Sequence, residues 1–214
     1  MGSWPLWETR CLTQWVLAAL MQLVIDREIK RSLGQMIKGV EVVGASHGGE
    51  WRAYTSHWVS QVSFDEPVVM ASTSPKHDTH PLMVAAGEFS VSILASDQIV
   101  EGQYFSYPGH KLRRVADELL GGWPGDPDGP PVVPNAIAWL RCRTFHRMPM
   151  ADHELFFARV VDVVPGRLRE PPLLYSSRLG WRVTGDRARE AGVSVRDQLL
   201  ARAGVDGTLD DDGT

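Results

Sequence analysis

The chain has 214 residues, 43% hydrophobic and 22% charged, with 20 Gly and 14 Pro. That composition excludes collagen-like, wholly disordered and disulfide-stapled chains, and the length suits one large domain or two small ones. The net charge is −4, and Asp206, Asp210, Asp211 and Asp212 account for it, so the remaining chain is about neutral and lacks the basic excess that gripping a nucleic-acid backbone requires.

Residues 12–35 read as helix, because Leu17, Leu20, Met21, Val24, Ile25, Ile29 and Leu33 recur at helical spacing; Gly34 or Gly39 is the stop. The apolar run within it, 15–25, falls short of the roughly 20 residues a membrane span needs. It has no small-x-small cleavage site behind it, and is expected to be a buried or dimer-packing helix. The segment from Val40 to Trp58 is two extended runs around Gly48-Gly49, a hairpin signal. Residues 62–67 form a turn-like link and 68–74 a β-branched strand. Residues 75–87 are short-helix material, with Pro75 before it, Asp78 or Thr79 to cap it and Gly87 to end it. Residues 89–95 alternate as a strand. Residues 97–120 are expected to be helical in pieces, broken at Tyr107-Pro108-Gly109. Residues 121–134 hold too much Gly and Pro for helix or strand, so they read as a long loop of the functional or mobile kind. Strands are expected over 136–148 and 153–168, the second bent near Pro165, then an edge strand or hairpin over 172–183 and a helix pair over 186–204 divided near Gly192. The stretch 205–214 has the composition of a disordered acidic tail. This order lacks the strand–helix alternation of a parallel sheet and indicates a mainly β fold: an antiparallel barrel with peripheral helices.

The chain has no G-x-G-x-x-G after a strand, no Walker loop, no G-x-S-x-G elbow and no H-E-x-x-H. Cys11 and Cys142 lie too far apart for a zinc ribbon or a disulfide framework, which fits a reducing, cytoplasmic setting. His77 and His80 stand at i and i+3, but a metal would need a third ligand such as His153, and no metal site is expected. The densest chemical signal is a set of hydroxyls at two strand ends. Thr55, Ser56 and Ser60 lie at the first; Ser72, Thr73, Ser74 and Thr79, with Lys76 and His77 alongside, lie at the second. Hydroxyls, backbone N–H groups and a lysine at strand ends suit a phosphate or a polyol chain, while serine and threonine also serve strand ends as plain caps.

Four segments in order carry a resemblance: Ser56-His57-Trp58-Val59-Ser60-Gln61-Val62-Ser63-Phe64; Thr79-His80 with Gly87-Glu88-Phe89; Ala136–Arg143 with Asp152-His153 through Val163; and Pro172-Leu173-Leu174-Tyr175. Together they resemble the flavin reductase-like family, the FMN-binding split barrels, in its flavoredoxin-type branch. This chain departs from the family pattern at Glu66 (for Pro), Ser92 (for Asn) and Ala151 (for Gly). The resemblance implies an antiparallel Greek-key split β-barrel over 28–183, preceded by a helical extension at 1–27 and followed by a helical segment at 184–204 and the tail at 205–214. It implies FMN, with FAD as an alternative, lined by Thr55, Ser56, His57 and Trp58 along the ring and ribityl chain. It adds Ser72, Thr73 and Ser74 as backbone and hydroxyl contacts, and Lys76, His77 and Thr79 at the phosphate. Asp152 and His153 stand on the nicotinamide side. The implied activity is hydride transfer from NAD(P)H to flavin, which needs no protein nucleophile and so no catalytic residue beyond the cofactor. Partners implied are a second copy of the chain and a monooxygenase or electron acceptor, ferric iron included, with no nucleic acid and no membrane. The alternative within this resemblance is an FMN-binding electron-transfer protein reduced by a partner protein rather than by NAD(P)H.

Overall fold

The computed structural model describes residues 27–106, 119–178 and 180–183, all within one compact unit, Met1–Val183. The expectations for 1–26, the Tyr107–Gly109 break, 186–204 and the 205–214 tail lie outside the described residues. Helix α1 (Arg27–Leu33) ends at Gly34, whose N–H donates to the Lys30 carbonyl. Strands β1 (Lys38–Gly39), β2 (Glu41–His47) and β3 (Glu50–Ser56) follow. Gly48 and Gly49 both have positive φ, 59° and 82°, which is the backbone a two-residue hairpin turn demands and glycine supplies without steric cost. Next come β4 (Val59–Gln61), β5 (Val68–Thr73), α2 (Thr79–Ala86), β6 (Glu88–Ile93) and α3 (Ile99–Tyr104). The long strands β7 (Ala138–Met150) and β8 (His153–Pro165) precede the hairpin of β9 (Leu173–Ser176) and β10 (Gly180–Val183).

Seven strands form one antiparallel sheet in the order β3-β2-β6-β7-β8-β5-β4, and β1, β9 and β10 form a second, smaller one. Strands β6, β7 and β8 are consecutive neighbours and β5 returns beside β8, a Greek key. The two edges of the large sheet, β3 and β4, are joined only by His57 and Trp58. The sheet therefore curls until its edges face each other, and no ladder zips them: a split barrel. The second extended run does not continue through Trp58 as the sequence suggested. It stops at Ser56 and the chain crosses to the opposite edge. Across the split, the Tyr54 hydroxyl donates to the Ser72 carbonyl at 3.1 Å and shares a short bond with Thr73 Oγ1.

Alternation along the strands builds the interior. Val43, Ala45, Val69, Ala71, Phe89, Val91, Cys142, Phe156 and Ala158 fill the barrel with Tyr54, and Met83 of α2 joins them at one end. Val40 and Val42 pack outward against Leu94, Phe105, Val133 and Leu173, so β2 is buried on both faces. Gly87, at φ 67°, closes α2 with its N–H on the Met83 carbonyl. Asp78 occupies the N-cap but makes no side-chain cap bond; the Thr79 N–H instead donates to His77 Nδ1 at 3.3 Å.

Loop 121–134 is a packed structural element. Trp123, Val132 and Val133 are buried, and Gly121 pairs with Val132. Gly44 lets it dock, because a Cβ there would run into the Pro131 carbonyl oxygen. Ser90 donates to that same oxygen, and Ser92 Oγ accepts the Val133 N–H at 3.0 Å. Arg141 bridges Asp126 of the loop to Glu88, each at 2.7 Å.

At the barrel end opposite α2, a cavity of about 380 Å³ is lined by Val59, Val68, Val69, Val91, Ile93, Leu140, Val160 and Val163, with Glu41 among them. Glu41 Oε2 is buried without a partner. Desolvation pushes this carboxyl up to about 8, opposed in part by its own backbone N–H. Its unfolded counterpart ionises from the ordinary carboxyl range upward, so folding loses stability as pH rises from about 5 to about 8 and does not regain it above. Glu41→Gln is therefore expected to leave the melting temperature near wild type at pH 5 and to raise it by several degrees at pH 8, as read by thermal melts at the two pH values.

Candidate functional site

Ser72, Ser74, Lys76, His77, Asp152 and His153 lie at the end of the barrel where β5 finishes and β8 begins, beside α2, and Trp58 joins them there. Trp58 is the centre of this surface. It is 49% exposed, with Lys38 Nζ 5.3 Å from its ring centroid. The His153 ring meets it edge-on at 5.0 Å. The backbone there is fixed from both sides. The Trp58 N–H donates to Ser56 Oγ at 3.1 Å, and the Trp58 carbonyl accepts the Ser72 N–H at 3.0 Å. A half-exposed indole on an anchored backbone offers a rigid flat wall.

His153 opens β8 and bonds through Nδ1 to Asp152 at 3.0 Å. The His153 hydrogen bond, with the Lys76 cation as a smaller contribution, holds the Asp152 carboxyl below its usual range. Lys76 thus lies within electrostatic reach of the His153 turn. It is exposed and holds no ion pair among the described residues. Ser74 Oγ accepts the Lys76 N–H at 3.4 Å, and the Ser74 carbonyl accepts the His77 N–H at 2.9 Å, which shapes the turn leading into α2. His77 lies 5.0 Å from the Tyr54 ring, and burial lowers its pKa, with the nearby Asp78 charge opposing.

His57 points away from Trp58 and stacks on Tyr175 at 4.1 Å and 7°, with Trp181 at its edge. Burial is the main cause lowering its pKa, the Gly39 backbone opposes, and the Lys38 charge adds to it; the ring is neutral at pH 7.

Other hydroxyls on the sequence-derived roster are turned inward. The Thr55 hydroxyl donates to the Gly102 carbonyl at 2.7 Å and ties β3 to α3. Thr73 is fully buried on Tyr54 and Met83. Ser72 is buried and reaches the surface cluster through its backbone. Thr79 is fully buried, and its Oγ1 has no partner; His57 Nδ1 is likewise buried and unpartnered. Such orphaned groups are costly unless something satisfies them. The exposed lysine and the half-exposed flat indole fit a ligand carrying an anionic end and a planar ring, while of the two orphaned atoms Thr79 Oγ1 is fully buried and His57 Nδ1 belongs to a ring turned toward Tyr175. The three histidines weighed for a metal face different partners: His77 meets Tyr54, His153 meets Trp58, and His80 pairs with Glu154 at 2.6 Å.

Sequence reasoning missed Lys38, Tyr175 and Trp181 as neighbours of the site. Tyr175 lay within a quoted motif, whereas Lys38 sits on a two-residue strand that no periodicity reveals. The small sheet brings all three to the Ser56–Trp58 link.

The model for the flavin reductase like domain matches residues 33–179. The chain belongs to the flavin reductase-like family. A relative from Streptomyces pristinaespiralis, an NADH:riboflavin 5'-phosphate oxidoreductase, is 33% identical over 152 residues, covering 71% of this chain and 83% of the relative. The reductase component of a 4-hydroxyphenylacetate 3-monooxygenase from Thermus thermophilus is 31% identical over 153 residues, covering 72% and 93%. BorF, the flavin reductase component of a bacterial two-component tryptophan halogenase, superposes with a TM-score of 0.65 at 23% identity over 75% of this chain and 99% of its own, which shows the shared split-barrel fold.

Ala151, where the family pattern has Gly, sits in the turn before Asp152 with φ 52°. A side chain in that left-handed region costs roughly 1 kcal/mol that glycine avoids. Ala151→Gly is expected to stabilise the protein by about 1 kcal/mol in urea unfolding, with the β7–β8 hairpin unchanged.

Proposed function

We infer that the chain is an NAD(P)H-dependent flavin reductase that supplies reduced flavin to an oxygenase partner. The observation that carries the site assignment is the clustering of Trp58, His153 and Lys76 on one surface at the end of the barrel, with orphaned polar atoms at Thr79 and His57 close by in sequence. The family match and the relatives named as an NADH:riboflavin 5'-phosphate oxidoreductase and a monooxygenase reductase component support the reaction and the kind of partner. FMN, with FAD as an alternative, supplies when bound the capacity to accept a hydride from NAD(P)H.

The protein's own part is binding, alignment and exclusion of water. Lys76 offers the phosphate a mobile point charge, and Ser74 beside it adds a hydroxyl. The Trp58 face holds the ring plane, fixed through Ser56 and Ser72. His57, kept neutral by burial, offers Nδ1 as an acceptor or donor without bringing a second charge beside Lys38. His153, oriented by Asp152, packs on the edge of Trp58 and covers the nicotinamide side. Thr55 and Thr73 serve the scaffold: one ties α3 to β3, the other closes the split. Alignment at near-contact distance is the main rate contribution such a site makes, so no nucleophile or paired carboxylates are needed. The same reading makes the chain a cytoplasmic homodimer.

Anaerobic mixing of the purified protein with FMN and NADH or NADPH is expected to bleach the visible flavin band catalytically. A yellow protein that both nicotinamides leave unchanged would instead support the electron-transfer alternative, and a protein with no affinity for flavin would refute both. Lys76→Ala is expected to weaken FMN binding about tenfold while leaving riboflavin, which has no phosphate, nearly unaffected. Fluorescence titration with the two flavins reads the difference.

A further inference from the structure

The N-terminal edge of the described chain takes no part in the site above, and most of it precedes the residues that the family model matches, 33–179. Helix α1 stands there with every one of its residues exposed. A helix this short is marginal on its own hydrogen bonds, and helices in folded chains draw most of their stability from packing an apolar face. Helix α1 buries no such face. It is fastened at its end by Gly34, which is buried and whose carbonyl accepts Ser176 Oγ at 2.9 Å and the Arg178 N–H at 3.3 Å.

Two kinds of side chain share this edge. Ile29 and Leu33, one helical turn apart, are 54% and 53% exposed, and Met36 and Ile37 just beyond them are 57% and 66% exposed. Large apolar side chains grouped this closely in water mark a contact surface rather than scatter. On the other side of the helix, Arg27, Lys30 and Arg31 share a face at i, i+3 and i+4. They converge with Arg178 of the β9–β10 turn on a cleft of about 840 Å³, whose remaining described lining is Gly34 and Ser177, without a carboxylate.

The occupant has to satisfy both sets. A free phosphate would answer the cations and leave Ile29 and Leu33 in water, and so would a merely acidic protein surface. A bilayer with anionic headgroups answers both, because its phosphates meet the cations while its acyl boundary takes the apolar side chains, with lysine and arginine stems reaching between the two levels. The sequence ahead of α1 points the same way. The apolar run 15–25 is too short to span a membrane, and the cations follow directly after it, which is the order of a segment that lies on a membrane surface.

We propose that the Arg27–Ile37 edge, with Arg178, binds the surface of an anionic lipid bilayer, the four cations meeting lipid phosphates and the four apolar side chains entering the headgroup boundary. The chain then rests on the membrane without crossing it. This departs from the absence of a membrane partner that the family resemblance implies, and it stands independently of the reductase reading.

Co-sedimentation of the full chain with vesicles tests the proposal, comparing phosphatidylcholine alone with phosphatidylcholine carrying about one-third phosphatidylglycerol. The wild type is expected to bind the anionic vesicles at least about tenfold more tightly than the neutral ones and to be released as salt is raised. Lys30→Gln combined with Arg31→Gln is expected to weaken that binding about 30-fold, and Ile29→Ser combined with Leu33→Ser about tenfold or more. All four positions are exposed, so both variants are expected to keep the wild-type circular dichroism spectrum and the wild-type rate of flavin bleaching. A wild type that stays in the supernatant with both vesicles overturns the proposal. So does equal binding to neutral and anionic vesicles, or a Lys30→Gln, Arg31→Gln variant that binds as the wild type does. Retention on immobilised polyglutamate, or tight binding of inorganic phosphate, without vesicle binding would assign the cleft to an acidic protein or a free anion and overturn it equally.

Discussion

A seven-stranded sheet whose edge strands are consecutive in sequence must solve a closure problem. Strands β3 and β4 are separated by two residues, so the sheet has to curl through nearly a full turn, yet the edges do not meet in register and no ladder joins them. The Tyr54 hydroxyl spans the opening to Ser72 and Thr73. Buried donors and acceptors of this kind are worth about 1 kcal/mol each when made and more when broken. Their geometric consequence is larger than their energy. With Tyr54 fixed to the end of β5, the Ser56–Trp58 link has one path, and the indole is presented at the mouth of the split beside His153.

The hydroxyl density around this link was visible in the sequence, but its division of labour was not. Thr55, Ser56, Ser72, Thr73, Ser74 and Thr79 look equivalent as residue types at strand ends. In the fold they separate by side of the strand: Thr73 points with Val69 and Ala71 into the barrel, and Thr55 reaches sideways to a carbonyl of α3. Alternation predicts which residues share a face. It does not reveal whether that face is solvent, core or another element, because that depends on which strands the curl brings opposite. The histidines separate in the same way, one to Tyr175, one to Tyr54 and one to Trp58, and no spacing in the chain encodes those partners.

What was legible were the local signals: the Gly48-Gly49 hairpin, the Gly87 cap and the order of strands. The resemblance over four ordered segments supplied the topology that periodicity could not. The Gly/Pro-rich stretch at 121–134 was readable as irregular but not as structural. Its role depends on a glycine and two serines far away in sequence: Gly44 leaves room for Pro131, Ser90 caps that carbonyl, and Ser92 takes the Val133 N–H. At Ser92, where the family pattern carries Asn, the hydroxyl is therefore engaged by the loop and is fully buried. The departure from the pattern and the packing of the loop are one feature seen from two sides.

The two ends of the barrel follow opposite physical rules, and this bears on how a protein of this size divides its work. At the α2 end a cation stands exposed at Lys76 and an aromatic face is half open at Trp58, the surface proposed above for a charged, planar cofactor. At the opposite end the walls are mostly aliphatic, with Ser60 and Gln61 at one side, and the one ionisable group in the lining, Glu41, is pushed toward its neutral form. A flavin phosphate there would meet no compensating charge. Strand β4 runs between the two ends, with Trp58 before its start and Gln61, in the cavity lining, at its finish.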